Sequence, residues 1–222
     1  MKRFFAAVVV LFFLSCNNAG EKNKAEEMET ETIEPEVEKS PDFASHFPEL
    51  NQYLGAADSS FQPERFGTGE IVSRDTSAPQ TLESGTLEDY RKLLVYNSDS
   101  SQAIDLVTYN FILNRRNKTE KFEFAGPDTE IALLDLKKNT RKRILFLGSA
   151  GLVMDGKWEA DGNIILAGAE EAGDGKLHPV MWRYYPATGE VEVFTYPGTI
   201  EVNISEYYDR KYNSNSKTIR AA

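Results

Sequence analysis

The sequence contains a single cysteine, Cys16, and none among residues 17–222. A lone cysteine cannot close a disulfide within the chain, and no thiol remains after residue 16 for a thiolate zinc site or a cysteine nucleophile. Histidine is almost as scarce: only His46 and His178 occur, and neither belongs to a His-Glu-x-x-His motif or another metal-ligand spacing. The sequence therefore predicts no histidine metal site, and we expect both histidines to be structural.

Familiar catalytic motifs are also missing from the sequence. It has no Gly-x-Ser-x-Gly elbow and no glycine-rich phosphate loop ending in Lys-Ser or Lys-Thr. Residues 214–217 (Ser-Asn-Ser-Lys) match Ser-x-x-Lys in letters alone, because they lie in a polar stretch without the companion motifs that such a nucleophile needs. We therefore expect a non-catalytic protein that carries no cofactor.

Basic residues are outnumbered by acidic ones, 25 lysines and arginines against 35 aspartates and glutamates. The formal net charge is −10, to which residues 1–16 contribute +2, residues 17–40 contribute −5 and residues 41–222 contribute −7. Nucleic-acid binding depends on clustered basic residues that neutralise phosphates. An acidic body without a basic cluster is therefore expected to bind no nucleic acid.

Aromatic residues are absent from residues 17–40, which contain eight glutamates and three lysines. Such a segment cannot bury enough apolar surface to offset the entropy lost on ordering. Together with Cys16 it is predicted to form a disordered acidic tether over residues 16–40, followed by one globular domain at 41–222.

Long apolar runs are lacking, apart from eleven residues at Phe4–Leu14 that follow Lys2 and Arg3. As a helix this run would rise about 16 Å, against roughly 30 Å of bilayer hydrocarbon. A charged start, a short apolar run and a small residue are typical of a secretory signal peptide, here residues 1–15. The alternative is a buried N-terminal helix or strand, but no polar residue interrupts the run to give it an outer face.

The end of this run, Phe13-Leu14-Ser15-Cys16, resembles the lipobox of bacterial lipoproteins. The resemblance implies cleavage between Ser15 and Cys16 and acylation of Cys16, which would anchor the chain to a membrane through its lipid. Asn17, in place of aspartate, implies onward transport to the outer rather than the inner membrane. The protein would then be a lipid-anchored component of the cell envelope.

The globular part is expected to begin with short helices. Phe43, Phe47, Leu50 and Leu54 have helical spacing, Pro48 suits a first helical position and Gly55 suits a C-terminal stop. A strand is predicted at 70–73. Residues 86–96 predict a short helix capped by Thr86, or a helical turn that runs into a strand.

From residue 102 onward, short apolar runs alternate with turn residues. Residues 103–113 predict one strand with Val107, Tyr109, Phe111 and Leu113 on one face. Residues 130–136 and 143–148 predict one hairpin, and residues 179–185 and 190–196 another, with a strand at 162–168 before it. This pattern is typical of an antiparallel meander, so the fold class is mainly β with a few short helices.

Parts of residues 108–198 resemble the hairpins of β-propeller blades. The two predicted hairpins each read strand, polar turn, strand and glycine, and residues 157–168 place an aromatic residue and Asp-Gly before a strand of small residues. The resemblance covers at most two blade-like units, whereas a closed propeller needs at least four. The sequence favours either a partly propeller-like arrangement or a sheet covered by helices.

Two groups of residues are candidates for ligand contacts. Trp182, Tyr184 and Tyr185 lie along one predicted strand, where exposed rings could stack on a sugar or fill a protein interface; the favoured alternative is that Trp182 and Tyr184 pack in the core. Glu170, Glu171 and Asp174 share a glycine-rich stretch and are the only candidates for a metal site, for Ca²⁺, although a solvated loop is favoured.

Three functions remain open from the sequence. The favoured one is an envelope lipoprotein with a non-catalytic domain that binds a protein, a glycan or a small ligand. The second is an envelope hydrolase whose paired carboxylates converge in a cleft with raised pKa values. The third is an acidic inhibitor that captures a basic protein.

Overall fold

The computed structural model describes residues 40–74, 77–83, 85, 87–116, 119–171, 173, 175–201 and 203–213. The predicted signal peptide, Cys16, the tether up to residue 39 and residues 214–217 lie outside them. The described elements are mainly β-strands with three short α-helices, as the sequence predicted. The helices are α1 (Phe43–His46), α2 (Pro48–Ala57) and α3 (Ile204–Tyr208), and a π-helical turn (Asp209–Asn213) continues α3. The strands are β1 (Glu70–Arg74), β2 (Gln80–Thr81), β3 (Val95–Tyr96), β4 (Gln102–Asp105), β5 (Phe111–Arg116), β6 (Thr119–Phe124), β7 (Glu130–Asp135), β8 (Thr140–Phe146), β9 (Gly151–Trp158), β10 (Ile164–Glu171), β11 (Leu177–Tyr185) and β12 (Glu190–Thr195).

The strands form two five-stranded antiparallel sheets and one hairpin. The first sheet has the order β1-β12-β11-β10-β9, so its last four strands follow one another as a meander. The second sheet has the order β2-β8-β7-β4-β3, and β5 pairs with β6 alone. Within the described residues none of these sheets closes on itself. The two predicted hairpins, β7–β8 and β11–β12, therefore fall in different sheets, and the sheet-plus-helix form of the prediction describes the domain.

One face of the first sheet packs against the second sheet. Successive side chains of a strand point to opposite faces, so Tyr184 of β11 points away from Arg183. The Tyr184 hydroxyl accepts a hydrogen bond from Lys142 Nζ of β8 at 3.2 Å, and Trp158 Nε1 at the end of β9 donates to Val95 O of β3 at 2.9 Å. Both contacts cross between the sheets, so the core lies between them.

The other face of the first sheet, which carries Arg183, is covered by helices. His46 at the end of α1 lies 3.4 Å from the Glu159 carboxylate that binds Arg183. Leu50 and Leu54, one helical turn apart on α2, are both buried. Four aromatic rings pack beside α1 with neighbouring centroids 5.1–5.6 Å apart: Phe43, Phe61, Phe66 and Tyr196.

Strand β9 forms one edge of the first sheet. Its outer carbonyls are bound by α3 and the π-helical turn that continues it, together called the C-terminal helix (204–213). A register shift opposite Gly168 leaves Met154 without a cross-strand partner. The Tyr208 hydroxyl donates to Val153 O at 3.0 Å, and Lys211 Nζ donates to Met154 O at 2.9 Å. Because unpaired edge carbonyls invite pairing with another chain, these two side chains protect the edge.

The prediction of one strand over 103–113 is wrong. The structure has β4 and β5 there, separated by a turn at residues 106–110. The cause is Asp105, whose Oδ1 accepts hydrogen bonds from the backbone N–H groups of Val107 and Thr108 at 3.0 and 2.9 Å. A carboxylate that binds the next backbone amides offers the chain an alternative to extended structure, and apolar alternation does not register this.

The predictions for the short helices agree more closely with the structure. Pro48 does begin α2, but the helix continues past Gly55 to Ala57, where Asp58 caps it through its backbone. Residues 91–93 form a 3₁₀ turn that leads into β3, which is the second of the two forms predicted for residues 86–96. Thr86 itself lies outside the described residues.

Candidate functional site

Trp182 and Tyr184, two of the predicted ligand contacts, belong to the core. Their exposed fractions are 2 % and 1 %. Trp182 donates a side-chain hydrogen bond to Glu170, and Tyr184 lies against Lys142 between the two sheets. Because neither ring reaches the surface, the core alternative applies to both, and neither can stack on a ligand from solvent.

Tyr185, the third predicted contact, is half-buried and belongs to an ion network. Its hydroxyl donates to Glu192 Oε2 at 2.6 Å, and burial together with this carboxylate raises the pKa of Tyr185 to about 12. Arg183 lies at the centre of the network, with Nε and Nη2 on Glu159 at 2.8 and 3.1 Å and Nη1 on Glu192 at 3.4 Å. His46 completes it from α1.

The candidate calcium ligands do not converge. Glu170 and Glu171 are consecutive residues of β10, so their side chains point to opposite faces of the sheet. Burial raises the pKa of Glu170, and the hydrogen bond from Trp182 opposes that shift. Asp174 lies outside the described residues, and the part of the chain that is described contains no group of three or more acidic, histidine or cysteine side chains able to hold a metal ion.

A basic cluster does exist, contrary to the expectation from net charge. Residues 137–143 carry five lysines and arginines in seven positions, across the turn between β7 and β8. Carboxylates neutralise much of it: Lys137 pairs with Asp99 at 3.2 Å and Lys138 with Asp135 at 2.9 Å. The net charge does not reveal the run because acidic residues elsewhere in the chain outnumber the basic ones.

Arg141, from the same basic run, organises a second buried ion network. Its Nη1 lies 2.5 Å from Glu130 Oε1, and its Nε lies 3.8 Å from Asp105 Oδ2. Asp105 is 1 % exposed and Glu130 is 8 % exposed. Arg141 thus lies between two buried carboxylates, as Arg183 does in the first sheet.

A groove between α2 and the C-terminal helix is a candidate site. Its volume is about 280 Å³. Its lining combines two aromatic rings, two cations, one carboxylate, one amide and one methyl group: Tyr53, Tyr207, Arg210, Lys211, Glu49, Gln52 and Ala56. None of these residues was singled out from the sequence.

The wall formed by Tyr53 is fixed by contacts with the C-terminal helix. The Tyr53 hydroxyl donates to Asn203 O at 2.7 Å, and the ring lies 5.2 Å from that of Tyr207. The guanidinium carbon of Arg210 lies 5.5 Å from the Tyr53 ring centroid, and its Nη2 contacts Glu206 Oε1 at 2.5 Å. One wall of the groove is therefore a tyrosine ring that already has a cation over its face.

The inner wall is formed by Lys211. Its Nζ donates to Met154 O at 2.9 Å, contacts Asp155 Oδ1 at 2.6 Å and lies 5.7 Å from the Tyr207 ring centroid. Burial lowers the pKa of Lys211, and the Asp155 carboxylate opposes the shift. Burial, with the Asp155 charge adding to it, raises the pKa of Tyr207 well above its ordinary value, so that hydroxyl stays protonated.

The outer rim of the groove has unused hydrogen-bonding capacity. Glu49, in the first turn of α2, and Gln52, one turn later, make no side-chain hydrogen bond or ion pair within the described residues. The Glu49 charge nevertheless acts on both Lys211 and Tyr207. A bound molecule could therefore use these two groups without first breaking a contact inside the protein.

A local sequence signal marks the start of α3, which forms one side of this groove. Asn203 caps α3, with its side chain accepting from the Glu206 backbone N–H at 3.2 Å. Asparagine followed three residues later by glutamate is a helix-start pattern. No sequence signal places α3 against α2, since the two are about 150 residues apart.

Comparisons of the chain with protein-family models, with curated proteins and with solved structures gave no match. Among the described residues, no helix combines the length and the hydropathy needed to cross a bilayer. The site is therefore interpreted from its own geometry.

Proposed function

We propose that this chain is a cell-envelope lipoprotein, anchored to the membrane through acylated Cys16, whose β-rich domain binds a ligand or partner and is not a hydrolase. The lipobox-like residues Phe13–Cys16 support the anchor, and Asn17 favours the outer membrane. The groove between α2 and the C-terminal helix is the proposed binding site.

The arrangement of four sheltered carboxylates supports a role other than hydrolysis. Glu159 and Glu192 converge on Arg183, and Asp105 and Glu130 converge on Arg141. A glycoside hydrolase needs two carboxylates separated by space for substrate and water. In both networks an arginine takes that space and neutralises the pair, which supports a structural role for these carboxylates.

The groove, unlike these two ion networks, is open to solvent, and this supports a binding role. It is open to solvent at Glu49 and Gln52 and is held in shape by contacts from three elements: α2, the C-terminal helix and β9. A rigid pocket with a few polar groups on an aromatic wall is the general form of a binding site. The tether would hold this site away from the membrane surface.

The anchor is tested with Cys16→Ala in the native host. We expect the variant to incorporate no labelled fatty acid and to leave the membrane fraction, because a single thiol is the predicted acylation point. Ser45→Ala, a substitution on the exposed side of α1, serves as the control and should remain membrane-bound. Continued labelling and pelleting of Cys16→Ala would contradict the anchor.

A further inference from the structure

We infer that the groove between α2 and the C-terminal helix captures a basic side chain, lysine or arginine, of a peptide or protein partner. This inference rests on the proposed binding function and names the chemistry of its ligand. Glu49 supplies the anionic contact, Gln52 a hydrogen bond, and Tyr53 with Tyr207 the aromatic walls.

The pairing of the charges that line the groove favours a cation. Arg210 is neutralised by Glu206, and Lys211 by Asp155. Among the charged residues that line the groove, Glu49 is the one without an ion-pair partner in the described part of the chain. An unpaired carboxylate at the rim of a partly sheltered groove is complementary to an ammonium or guanidinium group, with which it forms a charge-assisted hydrogen bond.

The aromatic walls already interact with cations of the chain itself. Lys211 Nζ lies 5.7 Å from the Tyr207 ring and 5.6 Å from the Tyr212 ring, and Arg210 lies over Tyr53. Aromatic faces attract cations through the ring quadrupole. The Tyr53 face would attract a cation of a partner in the same way once Arg210 moves aside.

Arg210 can give way to an incoming cation. Its side chain is 67 % exposed, and its ion pair with Glu206 is an i,i+4 surface pair, which is a weak interaction because water screens both charges. Lys211, held by a backbone carbonyl and a carboxylate, is not displaced so easily. A partner cation would therefore take the position over Tyr53 with Glu49 beside it, while Lys211 stays as the inner wall.

The size of the groove and the charge of the domain agree with this occupant. A volume of about 280 Å³ has room for one long side chain. Residues 41–222 carry a formal charge of −7. That field would draw a basic partner towards the domain and make its capture salt-sensitive.

The test measures binding of acetylated tetralysine amide to the full-length protein in detergent, by calorimetry, with tetraglutamate as the counter-probe. We expect tetralysine to bind, more weakly as salt rises, and tetraglutamate not to bind. Glu49→Gln should lower the affinity at least fivefold. Glu83→Gln is the matched control: it removes the same charge from an exposed position beside β2 in the second sheet, and should change the affinity less than twofold.

Three results would overturn the inference. The first is that tetralysine does not bind. The second is that the two glutamate variants weaken binding equally, which would mean general attraction to an acidic protein. The third is that a neutral chito-oligosaccharide competes for the groove better than tetralysine. The last result would leave the binding function intact with a different ligand class. Membrane anchoring does not enter this assay, so failure of the anchor and failure of the basic-side-chain inference are distinguishable.

Discussion

Replacing Arg183 with methionine isolates the ion network that joins α1 to the first sheet. The Arg183 side chain is 13 % exposed and contacts two carboxylates, Glu159 and Glu192, which are 12 % and 8 % exposed. Burial alone would lower the pKa of Arg183, but the hydrogen bonds to Glu159 and Tyr185 hold it above its ordinary value. The guanidinium is therefore charged at every pH at which the protein is folded.

The expected cost follows from what remains after the cation is removed. Methionine keeps an apolar stem of similar length, so the packing on the Phe194 ring, 5.5 Å from the guanidinium carbon, is largely retained. Glu159 and Glu192 are left as two sheltered carboxylates without their cation. Breaking a buried pair in this way costs about 3–5 kcal/mol, a large part of the roughly 5–15 kcal/mol by which domains are stable.

Urea unfolding followed by tryptophan fluorescence measures this loss through Trp158 and Trp182. We expect Arg183→Met to lower the free energy of unfolding by about 3–5 kcal/mol at neutral pH. The triple variant Arg183→Met, Glu159→Gln, Glu192→Gln should recover most of it, because no charge is then left unpaired. A loss of less than about 1 kcal/mol, the range of an exposed ion pair, would refute the view that the network is sheltered.

Two further predictions concern buried polar groups. Burial raises the pKa of Glu170 above its unfolded-state value of 4.5, so its contribution to stability is present below pH 4.5 and is lost as the pH rises through the folded-state pKa. Glu170→Gln should therefore be more stable than the native protein at neutral pH and equal to it in acid. Equal stabilities at neutral pH in thermal unfolding would contradict this. Asn110 is 2 % exposed; its Nδ2 donates to Leu106 O and Glu130 O at 2.9 and 2.8 Å, and its Oδ1 accepts from Glu130 N at 2.9 Å. Asn110→Ala leaves three buried backbone groups without a partner, each at a cost of about 1–3 kcal/mol, so urea unfolding should show a loss of at least about 3 kcal/mol. A variant within about 1 kcal/mol of the native protein would mean that water replaces the amide.

The sequence predicted the elements whose signals are local. The β7–β8 turn contains Asn139 at φ 54°, and the β11–β12 turn contains Gly189 at φ 74°, residue types that tolerate this region. Pro48 began α2 as its fixed φ suggested. In each case the residue types at the turn or helix start were enough, because the geometry depends on near neighbours.

Interactions between distant residues were missed. A core position for Trp182 was favoured from the sequence and the residue is buried, but the sequence did not show that the second sheet covers its face. The groove depends on Tyr53 meeting Asn203 and Tyr207, and no short-range pattern encodes that meeting. The basic run at 137–143 is visible in the sequence, but its pairing with Asp99, in the turn between β3 and β4, is not.

Intact-mass analysis of the protein purified from membranes of its native host tests the lipid anchor most directly. The account predicts a chain that begins at Cys16 and is heavier than its sequence by a diacylglyceryl group and an acyl chain. A chain that still carries Met1 and an unmodified Cys16 would contradict it.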